Sequence, residues 1–149
     1  MPLRQQNAAA DARPVERREN PKPAGRRTPT VAVLDGDEAF RDAVSLQLRS
    51  LGYASLEAAD AAAAIQLFLD GNKIDLLLTE AAVPGMACTE LLDATRALKP
   101  DLSVIIMSNR LDAARASRPD CLRKPFRREQ LREKLDLVLG ERAVGRRAG

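Results

Sequence analysis

The side chains that could do chemistry stand at the ends of short apolar runs. Asp35-Gly36-Asp37 follows Val31 to Leu34, and Glu80 closes the run from Ile74 to Thr79. Ser108-Asn109 follows Leu102 to Met107, and Lys124-Pro125 follows Cys121 to Arg123. Carboxylates, a hydroxyl and one ammonium make a set suited to charge-assisted hydrogen bonds. A carboxylate at position 80 beside Lys124 could form a stable ion pair that holds such a site in one arrangement, or the charges could form a solvated cluster at the sheet edge. Histidine is absent from the chain, which excludes a His general base, a His metal ligand and a phosphohistidine. Cys88 and Cys121 match no zinc or redox spacing and read as ordinary small residues in a reducing compartment.

The elements that must position these groups follow from the hydrophobic pattern. Val31 to Leu34 reads as a strand, and Phe40, Val44, Leu48 and Leu51 then recur at helical spacing until Gly52. Tyr53 to Leu56 predicts a second strand, and Asp60 caps a helix carrying Ile65, Phe68 and Leu69 that Gly71-Asn72 closes. Ile74 to Thr79 is a nearly continuous apolar run, as expected of a central strand. After the turn at Val83-Pro84-Gly85, Thr89 opens a helix with Leu91, Leu92 and Leu98. Leu102 to Met107 and Cys121 to Arg123 complete five strands, and the last helix places Leu131, Leu135 and Val138 on one face. The segment before Cys121 is short, contains Pro119 and lacks apolar periodicity, so a shortened or irregular fourth helix is expected. The prediction is an α/β fold, a five-stranded parallel sheet with helices on both faces and its site at the carboxyl ends of the strands.

With 149 residues, 45% of them hydrophobic, the chain suffices for one core. Residues 1–29 hold seven basic and three acidic residues and five prolines, and read as a disordered basic tail. Residues 30–139 form the predicted domain, with fourteen basic and seventeen acidic residues, and 140–149 a short basic C-terminal tail. No apolar run is long enough to span a bilayer and the start lacks a signal-peptide pattern, so a cytoplasmic location is expected.

The motifs Val31-Ala32-Val33-Leu34-Asp35, Ile74-Asp75-Leu76-Leu77-Leu78-Thr79-Glu80, Val83-Pro84-Gly85-Met86 and Lys124-Pro125-Phe126, in this order, resemble the receiver domain of bacterial two-component response regulators. In that family an acidic pair after strand one binds magnesium, and an aspartate after strand three takes a phosphoryl group from a phosphohistidine. A lysine and a hydroxyl then engage the phosphate. The resemblance makes Glu80 the phosphoacceptor-equivalent position, Asp35 and Asp37 the acidic pocket, and Ser108 and Lys124 the phosphate-contact positions. It also implies a cis Lys124-Pro125 peptide. Two departures stand out: Gly36 falls where the second acid belongs, and Cys121 falls where the family often carries an aromatic switch residue. Glu80 is one methylene longer than aspartate, which misplaces a nucleophile that must be aligned in line.

The expectation is a degenerate, stand-alone receiver domain: a phosphorylation-independent protein-protein interaction module with an unidentified signalling partner, and not an enzyme. No metal or other cofactor is expected; magnesium is the one candidate, and Gly36 weighs against it because that ion demands near-ideal oxygen geometry. The alternative is a phosphorylatable regulator in which Asp35, Asp37 and Glu80 assemble an atypical magnesium site. Imitation of a phosphorylated aspartate by Glu80 and an inert pocket are both open. The second alternative is a nucleic-acid-associated regulator using the basic tails, although no helix-turn-helix follows Leu139 and aromatic stacking residues are scarce. A homodimer is left open.

Overall fold

The computed structural model describes the backbone of residues 28–148 and the side chains of residues 28–140. The tail expected at the N-terminus lies, through residue 27, outside the described residues. Ten elements alternate: β1 (Thr30–Leu34), α1 (Glu38–Ser50), β2 (Ala54–Ala58), α2 (Ala61–Leu69), β3 (Leu76–Glu80), α3 (Cys88–Leu98), β4 (Ser103–Ser108), α4 (Ala113–Ala116), β5 (Cys121–Arg123) and α5 (Arg128–Ala148). All strand pairs are parallel, in the order β2-β1-β3-β4-β5. Each parallel step needs a helical crossover, which is why strand and helix runs alternate.

Successive strand residues point to opposite faces, so the apolar strands feed two cores at once. Val31, Val33, Leu76, Leu78, Ile105 and Met107 face Val44 and Leu48 of α1 and Leu131 and Leu135 of α5. On the other face Ala32, Leu34, Leu56 and Leu77 meet Ala61 and Ala64 of α2 and Leu91 of α3. The alanines of α2 let that helix approach the sheet closely, and aromatic bulk is not needed.

Helix starts follow local chemistry. Asp37 Oδ1 accepts the Phe40 N–H at 3.2 Å at the head of α1, and Asp60 Oδ1 accepts the Ala63 N–H at 2.8 Å at the head of α2. The positive φ of Gly71, 88°, turns the chain after α2. The fourth helix is a single turn with no buried residue, as its weak apolar pattern predicted. It is held from outside: Lys134 Nζ donates to the carbonyl oxygens of Ala116 at 2.9 Å and Arg118 at 2.7 Å. The strand limits shift by one or two residues from the sequence reading, since Asp75 Oδ2 receives the Thr30 N–H at 2.8 Å before β3 begins. The last helix continues through most of 140–149, which sequence assigned to a tail because apolar periodicity ends at Leu139.

Candidate functional site

The chain crosses from one side of β1 to the other between β2 and β3, and the polar groups gather at the carboxyl edge of that switch point. Asp35 follows β1, Glu80 and Ser108 are the last residues of β3 and β4, and Lys124 follows β5. A cleft of about 600 Å³ lies between them, lined by Glu80, Ala81, Ala82, Met107, Ser108, Asn109, Arg110 and Lys124.

Lys124 and Asp35 make the central contact. Lys124 Nζ donates to Asp35 Oδ2 at 2.7 Å, with the carboxylate side chain 2% exposed and the lysine 21%. The ammonium also lies 4.4 Å from the centroid of the Phe40 ring, and Phe126 meets Phe40 edge-on with centroids 5.8 Å apart. A cation between a buried carboxylate and an aromatic face is held on two sides. The other oxygen of Asp35 accepts the Asp37 N–H at 2.9 Å.

This overturns one expectation. Sequence placed Lys124 beside Glu80; among the described residues no ion pair joins them. Glu80 Oε2 instead accepts the Gly36 N–H at 2.7 Å. The physical reason is reach and depth: Asp35 is buried between β2 and β3 and demands the countercharge, while the longer Glu80 side chain extends to the β1–α1 loop. A Cβ built on Gly36 would lie 3.2 Å from Pro84 Cγ and 3.5 Å from Glu80 Oε2, so the loop closes over the space that a side chain at 36 would need. Asp37, considered as a substitute for the missing acid, is spent on capping α1.

Two residues that the sequence did not single out complete the edge. Arg41 Nη1 donates to the Asp35 carbonyl at 2.8 Å and its Nε to Glu57 Oε1 at 3.0 Å, tying α1 to the end of β1 and to β2. Burial pushes the Glu57 carboxyl above its ordinary range. Nothing in the spacing marks Arg41, since an arginine one helical turn into α1 looks like any solvated residue. Ser108 Oγ accepts the Arg110 N–H at 3.0 Å, which turns the chain away from β4. The Lys124-Pro125 peptide is cis. Cys121 is buried at the start of β5, and burial, followed by the nearby Asp120 carboxylate, raises its thiol.

The edge is poorly furnished for a divalent cation: Gly36 offers no carboxylate, each Asp35 oxygen and Glu80 Oε2 accept a hydrogen bond, and Asp37 Oδ1 caps its helix. Among the described residues no three acidic or thiol groups approach closely enough to share a metal ion.

Residues 31–136 match the response regulator receiver domain. The chain is similar to chemotaxis protein CheY of Pseudomonas aeruginosa, 33% identical over 124 residues, covering 77% of this chain and 98% of that protein. It is also similar to a cyclic di-GMP phosphodiesterase of Thermotoga maritima, 26% identical over 119 residues, of which it spans only 32%. Among solved structures, a response regulator from Thermotoga maritima superimposes with a TM-score of 0.64 at 28% identity, covering 76% of this chain and 98% of that one. No helix among the described residues is long and apolar enough to cross a membrane.

Proposed function

The chain belongs to the response regulator receiver domain family, and from that premise we propose that it relays signals by binding a protein partner without being phosphorylated. The observation that carries the reading is the engagement of Glu80. Its Oε2 accepts the Gly36 N–H at 2.7 Å, and the residue that would bring a second acid to the edge is a glycine. A nucleophile in this position must be free, in line and served by a cation. Glu80 has one oxygen engaged by the Gly36 N–H, and the nearby Lys124 ammonium is paired with Asp35 instead, which supports a reading of the module as a binding domain in which Glu80 stands at the phosphoacceptor-equivalent position without that role. Imitation of a phosphorylated aspartate is also disfavoured, because the Glu80 carboxylate points to the β1–α1 loop and leaves Lys124 to Asp35.

The partner surface follows from charge. Residues 30–107 carry five basic and twelve acidic residues, whereas 108–139 carry nine basic and five acidic. Arg115, Arg123, Arg127 and Arg128 are exposed on α4, β5 and the start of α5. Guanidinium groups grouped this way suit an acidic protein face and speed encounter with it. The free thiols of Cys88 and Cys121 accord with the reducing cytoplasm.

The test is acyl-phosphate formation. The protein with magnesium and a small-molecule phosphodonor should remain unmodified by intact-mass spectrometry, and beryllofluoride should leave the amide signals of Asp35, Glu80, Ser108 and Lys124 in place. A hydroxylamine-labile adduct of one phosphoryl mass, or saturable shifts of those four signals together, would return the chain to the phosphorylatable class.

A further inference from the structure

The two departures at the site, a glycine where an acid is expected and a glutamate where an aspartate is expected, touch each other. Gly36 and Glu80 are 44 positions apart in sequence, yet the N–H of one donates to the carboxylate of the other at 2.7 Å. The same glycine is closed in by Pro84, whose Cγ lies 3.2 Å from where a Cβ would stand. Pro84 in turn accepts the Ala61 N–H at 3.1 Å through its carbonyl, so the loops after β1, β2 and β3 meet at this point.

We propose that Gly36 and Glu80 form one latch, in which the Glu80 carboxylate fastens the β1–α1 loop to the end of β3 and does within the chain what a bound cation would do between acids. The extra methylene of glutamate supplies the reach, and the bare backbone of glycine supplies the donor and the space. The latch keeps the strand-end loops in one conformation whatever the magnesium concentration. This inference rests on the reading of the site as closed to phosphoryl transfer and names what closes it.

The latch makes positions 36 and 80 interdependent. An aspartate at 36 alone would press on Pro84 and bring a second carboxylate within reach of Glu80 Oε2, 3.5 Å from the Cβ position. Like charges at that separation repel. An aspartate at 80 alone would withdraw the acceptor from the Gly36 N–H without adding a ligand. Only the two together convert the contact into a pair of acids facing one cleft.

The experiment uses the full chain and the Gly36 amide as reporter. Gly36 should be protected from hydrogen exchange, and both E80A and E80D should remove about tenfold of that protection or more, as loss of a hydrogen bond to a charged acceptor requires. E80Q, which keeps the length and an acceptor oxygen, should lie between. Magnesium titrations should then give saturable strand-end shifts for the G36D/E80D double variant and for neither single variant. Protection of Gly36 unchanged within about twofold in E80A and E80D would overturn the latch, as would magnesium binding by G36D alone equal to that of the double variant. If G36D does not fold, the E80A and E80D exchange data decide by themselves. The two readings fail separately: phosphorylation of the wild-type chain refutes phosphate independence, while an unprotected Gly36 refutes the latch.

Discussion

Removing the Lys124 ammonium by Lys124→Met should destabilise the fold far more than removing the whole ion pair. The Asp35 side chain is 2% exposed and would be left with the backbone N–H of Asp37 as the remaining donor to its carboxylate. Breaking a buried pair from one side costs about 3–5 kcal/mol. The 21% exposure of Lys124 and the surviving N–H bond set the expectation near the lower end, about 3 kcal/mol, to which loss of the contact with Phe40 adds about 0.5–1 kcal/mol. With Asp35→Asn added to Lys124→Met, no charge is buried and the amide oxygen can keep the Asp37 N–H. The double variant should therefore lie within about 1 kcal/mol of the wild type. Far-UV circular dichroism in urea reads both values, since the chain has no tryptophan. The single variant should shift the midpoint by about 2 M at the urea slopes usual for small domains. A cost below about 1 kcal/mol for Lys124→Met, or a double variant no more stable than the single, would show that the pair is solvated and that Lys124 is not committed to Asp35.

The assignment of Asp37 to helix capping predicts that Asp37→Ala lowers stability by about 1 kcal/mol, as Asp60→Ala should at the second helix. Urea midpoints unchanged in Asp37→Ala would free that carboxylate for another role. Glu57 gives a pH test. Burial raises its folded-state carboxyl above the unfolded value, so the folded state holds the proton more tightly. Its contribution is present below the unfolded pKa and lost as pH rises through the folded one. Thermal melts between about pH 4 and pH 7 should show a flatter dependence for Glu57→Gln than for the wild type; parallel curves would count against it.

The sheet and its helices were legible because parallel strands buried on both faces are largely apolar, as Val31 to Leu34 and Leu76 to Leu78 are. The shortened fourth helix was legible for the opposite reason, as its residues have nothing to bury. Position at strand ends also brought Asp35, Glu80, Ser108 and Lys124 to one edge. The choice of partners within that edge was not legible. Lys124 could meet either acid by topology, and the choice turned on depth at Asp35 and one methylene at Glu80. Arg41 escaped for a related reason, since its two contacts reach the carbonyl of Asp35 and a carboxylate on β2 that no local pattern links to it.

The single turn of α4 cannot nucleate alone, since a helix of four residues fixes more dihedrals than its hydrogen bonds repay. It persists because Asp112 caps its start and the ammonium of Lys134, anchored on α5, closes carbonyls at its carboxyl end. The dependence runs one way, since α5 is seated in the core by Leu131 and Leu135. Whatever neutralises that one ammonium, an acetyl group included, would loosen the α4 turn and the exposed Arg115 it carries while leaving α5 packed.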